Sequence, residues 1–550
     1  MNCVELFCRF PESTKSASVK SQPGKSQPDK IALSELAGAS PGTSLTNSEL
    51  SWRVRALADE LSARGIMPGD RLLIFSGLCI DGLVAILAAW VLGAVPVPLA
   101  SDENTGNLRM LLANLAPACC FFAVDDDALA ESLPGFFWRR AVNIAGLLAL
   151  RSSQAADAAP HAHSPGGIFN ADNDHPALLL LSSGSQGQAK QICYSHQQLQ
   201  IFMQHHDFLY RQYSDHARSE VFASDLLSSL PLSHLGGLAF CLQALMMGRT
   251  LHLMKTFLPA AYLAALLRLR IVLIMLVPVM AESLLMAVAE TRQVPASLRH
   301  CLLVGEPCAT ERMVLIADAL DAGVYSAYGL TECITGIGHS RHLIESRKVP
   351  VASCGRQLFG SLKLMTSDGR DSGDFGELWV KNPTVFCCYQ DARLNRERLQ
   401  QGWFNTGDLF YRDGDGNFFH RGRSDDMFVV NGKNIHPKEI ENVLDNFPLI
   451  AQSVAAPLCR ENGSTFVAAM LQLHEHDWPA DAAEHKKVEQ DVLAYYLQHG
   501  SSHGAPGWLL LTKELPRLVS GKIDRQACRW QLQENYETSA RQPKQAGRAS

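Results

Sequence analysis

The run Leu181-Ser-Ser-Gly-Ser-Gln-Gly-Gln-Ala-Lys190 reads as the end of a strand, a loop of small residues and a closing lysine. Small hydroxyl residues and glycines let backbone N–H groups come close to phosphate oxygens, and a lysine adds a point charge. It is not a Walker A loop, because Gly187 is followed by Gln-Ala-Lys rather than by four residues and Gly-Lys-Ser/Thr. Alone, the string stays open between a phosphate cradle and a Gly/Ser surface turn. Five further short strings follow: Tyr328-Gly-Leu-Thr-Glu332, Gly402-Trp-Phe-Asn-Thr-Gly-Asp408, Gly422-Arg-Ser-Asp-Asp426, Gly432-Lys-Asn-Ile-His-Pro-Lys-Glu-Ile-Glu441 and Leu515-Pro-Arg-Leu-Val-Ser-Gly-Lys-Ile-Asp-Arg525. Each taken singly is also ordinary turn chemistry. Rival ligand sets are poorer. Asp413-Gly-Asp-Gly-Asn417 imitates an EF-hand start, but Phe418 and Ser424 stand at its sixth and twelfth positions, so a hairpin turn is the better reading. His161-Ala-His163, His205-His206 and His474-Glu-His476 lack a third ligand nearby and read as solvated loops.

The elements that must carry these strings alternate between strand and helix. Leu50, Val54, Leu57 and Leu61 fall at helical spacing within 46–64, and Gly65 with the Pro68-Gly69-Asp70 turn ends that helix. Residues 71–75 and 178–181 read as short buried strands, and 150–176 as a loop. The stretch from Gly82 to Ala100 has no charge, yet Gly93, Pro96 and Pro98 interrupt it. A buried helix over 82–92 running into a core strand over 94–97 explains it better than a membrane span. Alternation to about residue 330 predicts layered α/β architecture, and 350–420 turns to short strands with Gly and Asp turns. No internal repeat occurs.

Composition sets the frame. The 550 residues suffice for roughly two to four domains. With 47% hydrophobic and 19% charged residues, disorder of the whole chain is excluded. A net charge of −6 argues against a nucleic-acid binder. The N-terminus has neither a basic nor an apolar segment of a signal peptide. Fifteen cysteines, none spaced Cys-x-x-Cys, give no zinc-ribbon spacing and no disulfide framework, and suit reduced thiols in the cytoplasm.

Together, in this order and spacing, the six strings resemble the adenylate-forming superfamily, which includes acyl- and aryl-CoA synthetases, firefly luciferases and the adenylation domains of peptide synthetases. The resemblance runs from Pro28-Asp29-Lys-Ile-Ala through Gly69-Asp70 and Gly93-Ala-Val-Pro-Val-Pro98 to Lys522. It implies an α/β fold: a large, multi-layer α/β N-terminal domain (31–424) and a small α+β C-terminal lid (425–535), flanked by a flexible arm (1–30) and tail (536–550). It implies ATP-dependent activation of a carboxylic acid to an acyl-adenylate, then transfer to the thiol of CoA or of a carrier-protein phosphopantetheine. Because no carrier domain follows the lid, a carrier would be a separate chain. The alternative is a non-catalytic or adenylation-only relative.

Residue by residue, the resemblance implies that Ser183, Gly184, Ser185 and Lys190 surround the ATP β- and γ-phosphates. Gly305, Glu306 and Pro307 would border the adenine, with Tyr328 stacked on it. Thr331 would touch the α-phosphate and Glu332 hold Mg²⁺ as a hard oxygen ligand. Asp408 would accept the ribose hydroxyls with Arg423 in support, and Asp425 would be the hinge. Gly432 would line the thiol tunnel after rotation, and Lys522 would reach the acid and α-phosphate during adenylation. Departures fall in the phosphate loop, where Gln186, Ala189 and Gln191 replace the usual Thr, Pro and Gly, and at Cys388, which replaces the glycine of a Gly-Tyr pair.

Pro231-Leu-Ser-His-Leu-Gly-Gly237 matches the segment that lines the acid pocket in this superfamily. Peptide-synthetase domains place an aspartate near here for an α-amino group, whereas this chain has no acidic residue from Asp225 until well past Leu253. The apolar Leu238–Leu242 suits an aryl or aliphatic acid. His234 is open to two readings, a residue that faces or gates the substrate and a helix-start histidine satisfied by backbone.

Overall fold

Thr46 receives the Glu49 amide on its hydroxyl while the Glu49 carboxylate accepts the Thr46 amide. This capping box starts the helix Asn47–Ala63, which buries Leu50, Val54, Leu57 and Leu61 on one face, as their spacing predicts. The computed structural model describes residues 29–38, 40–75, 77–99, 115, 117, 119–122, 141–143, 173–182, 190–205, 224–306, 308, 310–340, 344, 350, 353–366, 368–430, 432–460, 464–474, 477–502, 504–517 and 523–541. The chain divides into two compact units. One comprises 1–362, 380–405 and 416–418, and the other 363–379, 406–415 and 419–550.

In the first unit, the uncharged stretch after Asp81 is a helix, Ile80–Val91, buried at every residue but Asp81 itself, followed by the strand Val95–Leu99. The indole of Trp90 donates to the Ala177 carbonyl at 2.6 Å, so the helix is pinned inside the unit. Among the described residues no helix is long and apolar enough to cross a membrane. Arg71–Phe75 lies parallel between Val95–Leu99 and Cys119–Phe122, with Ala141–Asn143 beyond. A second sheet runs in the order 355–357, 333–339, 323–330, 300–303, 271–276, 225–228, 251–253, 31–37, 40–46. Its pairings from 323–330 to 31–37 are parallel. Ile271–Leu276 is apolar and buried at all six positions, as a strand covered on both faces must be. Helices Pro259–Arg268, Pro278–Thr291 and Thr310–Leu320 pack Leu266, Leu284 and Ile316 into the same cluster as Ile274. A third, antiparallel sheet pairs Pro176–Ser182 with Lys190–Ser195 and adds Cys388–Tyr389 on its far edge.

The second unit has a three-stranded sheet, Ile450–Cys459 antiparallel to Thr465–Leu473, and Trp508–Thr512 parallel to it. Both faces of Thr465–Leu473 are covered, with period two. Val467, Ala469 and Leu471 join Ile440, Leu444, Val492 and Tyr496 of helices Pro437–Leu444 and Ala482–His499. Phe466, Ala468 and Met470 join Cys528 and Leu532 of helix Arg525–Arg541. That last helix runs past residue 535 to Arg541, because Leu532 and Tyr536 pack on the sheet despite a polar sequence around them.

Candidate functional site

In the first unit, Tyr328 lies near the end of strand Gly323–Leu330, and Thr331 and Glu332 form the turn into Cys333–His339. The turn is held from several sides. The Thr335 hydroxyl donates to the Tyr328 carbonyl (2.6 Å), the Tyr194 hydroxyl to the Thr331 carbonyl (2.9 Å), and the Phe386 amide to the Glu332 carbonyl (2.8 Å). The Glu332 carboxylate is 7% exposed, and its Oε1 accepts the Tyr389 hydroxyl at 2.8 Å. Burial, and then the charge and hydrogen bond of Glu332, push the Tyr389 phenol well up, so it stays a donor. Burial does the same to Tyr194. Lys190 begins the strand Lys190–Ser195, opposite Ser182. Gly305 follows strand His300–Leu303 at φ 89°, and a Cβ there would lie 3.3 Å from Val277 Cγ1, so the turn before Glu306 favours glycine.

His234 occupies the N-cap position of helix Leu235–Met246. Its carbonyl accepts the Leu238 amide (2.9 Å), and its ring makes no cap hydrogen bond. Within the first turn, a Cβ on Gly237 would come 2.5 Å from the Pro231 carbonyl oxygen, which explains the second glycine of that segment. Leu238 to Leu242 are fully buried.

In the second unit, Asp408 lies on strand Trp403–Arg412 and is 3% exposed. Arg423 forks between two carboxylates, with Nη1 3.3 Å from Asp408 Oδ1 and Nε 2.9 Å from Asp425 Oδ1. The Ser424 amide and hydroxyl both donate to the Gly407 carbonyl, at 2.9 and 3.2 Å, so segments 407–408 and 423–425 are clasped. His420 Nε2 stands 3.5 Å from Asp408 Oδ1. Gly432, at φ 74°, turns the hairpin between Phe428–Val430 and Lys433–Ile435, with nothing within 4 Å of a Cβ placed there. Glu441, on the next helix, is 1% exposed and takes a two-pronged ion pair from Arg525, at 2.8 and 2.6 Å.

The sequence-predicted residues thus fall into two sets. Tyr328, Thr331, Glu332, Lys190, Gly305, Glu306 and His234 belong to the first unit, and Asp408, Arg423, Asp425 and Gly432 to the second. Ser183, Gly184, Ser185, Pro307 and Lys522 lie outside the described residues. Sequence reasoning missed Tyr389, Tyr194 and His420. Tyr389 was within reach, as the tyrosine next to the atypical Cys388. His420 meets Asp408 across neighbouring strands, and Tyr194 meets Thr331 between two different sheets, so neither contact is a local property of sequence.

Among the described residues no three His, Cys, Asp or Glu side chains converge on a metal position. Mg²⁺ takes one or two carboxylates and completes its shell with water and substrate phosphates. Tyr389 engages one oxygen of Glu332 and so orients a carboxylate whose other oxygen is a hard donor.

Glu332 in the first unit is steadied by a phenol and Asp408 in the second by a guanidinium, and both are buried. The AMP-binding enzyme family profile matches residues 21–390, and the chain belongs to that family. It is 29% identical to a feruloyl-CoA synthase of Amycolatopsis sp over 513 residues, 88% of this chain and 93% of the relative. It is 26% identical to the fatty acid–[acyl-carrier-protein] ligase MmaC of Mycobacterium marinum, over 91% of this chain and 94% of that one. In fold it is similar to the o-succinylbenzoate CoA synthetase MenE of Bacillus subtilis, solved in complex with the acyl-adenylate intermediate OSB-AMP. The TM-score is 0.74, at 23% identity over 92% of this chain and 95% of that one.

Proposed function

We propose that this chain is an ATP-dependent acid–thiol ligase. It joins a carboxylic acid to AMP with release of pyrophosphate, then passes the acyl group to the thiol of CoA or of a phosphopantetheine on a separate carrier protein. The observation that carries this reading is the buried Glu332, oriented by Tyr389 inside the Tyr-Gly-Leu-Thr-Glu turn of an AMP-binding enzyme.

The carboxylate must attack an α-phosphate, so two anions are brought together and the developing charge has to be neutralised. Mg²⁺, when bound, supplies part of that charge, and Glu332 is its protein ligand in this proposal. Lys522 supplies the rest at the acid and α-phosphate. Thr331 contacts the α-phosphate, while Ser183, Gly184, Ser185 and Lys190 hold the outer phosphates. Gly305, Glu306, Pro307 and Tyr328 border the adenine. Asp408 accepts the ribose hydroxyls. Arg423 supports it by spanning Asp408 and Asp425, which fixes the carboxylate's direction before the nucleotide arrives.

The acid is aryl or aliphatic. The buried, uncharged Leu238–Leu242 beside His234 supports that and offers no counter-ion for an α-amino group. We assign His234, at the start of helix Leu235–Met246, to the acid side. The domain division at 424/425 with Asp425 as hinge, Gly432 lining the thiol path after rotation and a cytoplasmic location belong to the same reading. ATP–pyrophosphate exchange across a panel of carboxylic acids, followed by thioester assays with CoA and with a phosphopantetheinylated carrier, tests it. An acid-dependent exchange is expected, and no exchange with any aryl or aliphatic acid would leave the non-catalytic alternative.

A further inference from the structure

Three cysteines outside every role assigned above meet at one edge of the first unit. Cys388 lies directly across the ladder from Cys193, and the neighbouring Cys387 amide donates to the Cys193 carbonyl at 3.0 Å. Residues paired across an antiparallel ladder have Cα atoms about 4.5 to 5.5 Å apart, inside the roughly 4.4 to 6.8 Å that a disulfide spans. Exposure is graded: Cys387 is exposed, Cys388 is half-buried, and Cys193 is 4% exposed in a cluster with Leu73, Val97 and Leu179. All three are free thiols.

The position of the pair matters. Cys193 lies on the strand that begins at Lys190, and Cys388 precedes Tyr389, whose hydroxyl holds Glu332. The Cys388 thiol hydrogen-bonds the Cys193 sulfur, which holds the Cys193 thiol below its usual value despite burial and pushes the Cys388 thiol up. Exposure rather than acidity therefore makes Cys388 the first to meet an oxidant, and Cys193 is the readier resolving sulfur.

We propose that Cys193 and Cys388 are an oxidative modification site, converted by a hydroperoxide into a reversible cross-strand disulfide that locks the Cys388–Tyr389 strand to the Lys190–Ser195 strand. The chemistry balances in two steps. The half-buried Cys388 sulfur attacks the O–O bond of hydrogen peroxide, giving a sulfenic acid and one water. The Cys193 sulfur then attacks that sulfenic sulfur, forming the S–S bond and releasing a second water. Two thiols lose two electrons and two protons, and one peroxide becomes two waters. A dithiol reductant reverses the change by thiol–disulfide exchange.

The test is disulfide mapping of the full chain after hydrogen peroxide, with remaining thiols alkylated before digestion. A crosslink between the peptides carrying Cys193 and Cys387-Cys388 is expected, lost on treatment with dithiothreitol. It persists in Cys387→Ser and disappears in both Cys388→Gly and Cys193→Ala. Cys388→Gly, at a half-buried edge position, guards against a Cys193 variant that fails to fold. A vicinal 387–388 disulfide, a crosslink between chains, a crosslink lost in Cys387→Ser, or sulfinic acid without any disulfide would overturn the proposal.

Discussion

Arg525→Ala should open the second unit far more than a surface substitution does. Glu441 is 1% exposed, and Arg525 supplies two of its hydrogen bonds; the Ala455 amide adds one at 3.0 Å, with Lys438 Nζ 3.8 Å away. Burial works to raise the pKa of Glu441, but the Arg525 charge and hydrogen bonds, with Lys438 and the Ala455 amide, overcome it and hold the carboxyl below its usual value. Removing one partner of a buried pair leaves an uncompensated charge, which costs about 3 to 5 kcal/mol. Arg525 is 41% exposed and Lys438 remains, so the low end applies, about 3 kcal/mol. That is about a 100-fold loss of amide protection in strands 450–459 and 465–473, read by native-state hydrogen exchange. Glu441→Gln should cost less, about 1 kcal/mol, because the half-exposed guanidinium left behind is hydrated. Arg525→Ala added to Glu441→Gln should then change little. A fully additive double variant, or an Arg525→Ala protein with wild-type protection, refutes the reasoning. The pH dependence has a defined sign. A carboxyl lowered in the folded state stabilises above its unfolded pKa of roughly 4.3, and that contribution is lost as pH falls through the folded value. Wild-type protection should therefore fall in acid more steeply than that of Glu441→Gln.

The ligase reading gives three further expectations. Lys522→Ala should abolish acid-dependent pyrophosphate exchange while preformed acyl-adenylate is still converted to thioester; equal loss of both halves removes the role given to Lys522. Asp408→Ala should raise the ATP KM by a factor corresponding to about 2 kcal/mol, since a charge-assisted acceptor is lost, and an unchanged KM rejects the ribose assignment. Asp425→Pro fixes φ near −65° at the proposed hinge and restricts Ser424, so exchange should survive while most thioester formation is lost. Equal loss in both assays, or none, rejects the hinge.

What could be read from the chain and what could not divide along a physical line. The helix Asn47–Ala63, the buried helix-and-strand at 80–99 and the strands at 71–75 and 176–182 were legible because burial periodicity and caps are local properties of sequence. The motif strings were legible because backbone turns demand particular residues, as Gly305 and Gly237 do. Partners were not. Tyr389 reaches Glu332 across 57 positions and Arg525 reaches Glu441 across 84, contacts created by packing that no local pattern encodes. The consequence for the site is specific. Glu332 and Glu441 both sit inside strings that the sequence singles out, yet each owes its buried charge to a residue from a distant segment. A string therefore marks where a carboxylate stands, while its readiness to act depends on the phenol or guanidinium that folding delivers. In this chain the delivery at Glu332 passes through the Cys388–Tyr389 strand, which pairs with Lys190–Ser195. Chemistry at Cys388 would accordingly bear on Glu332 without touching the motif that carries it.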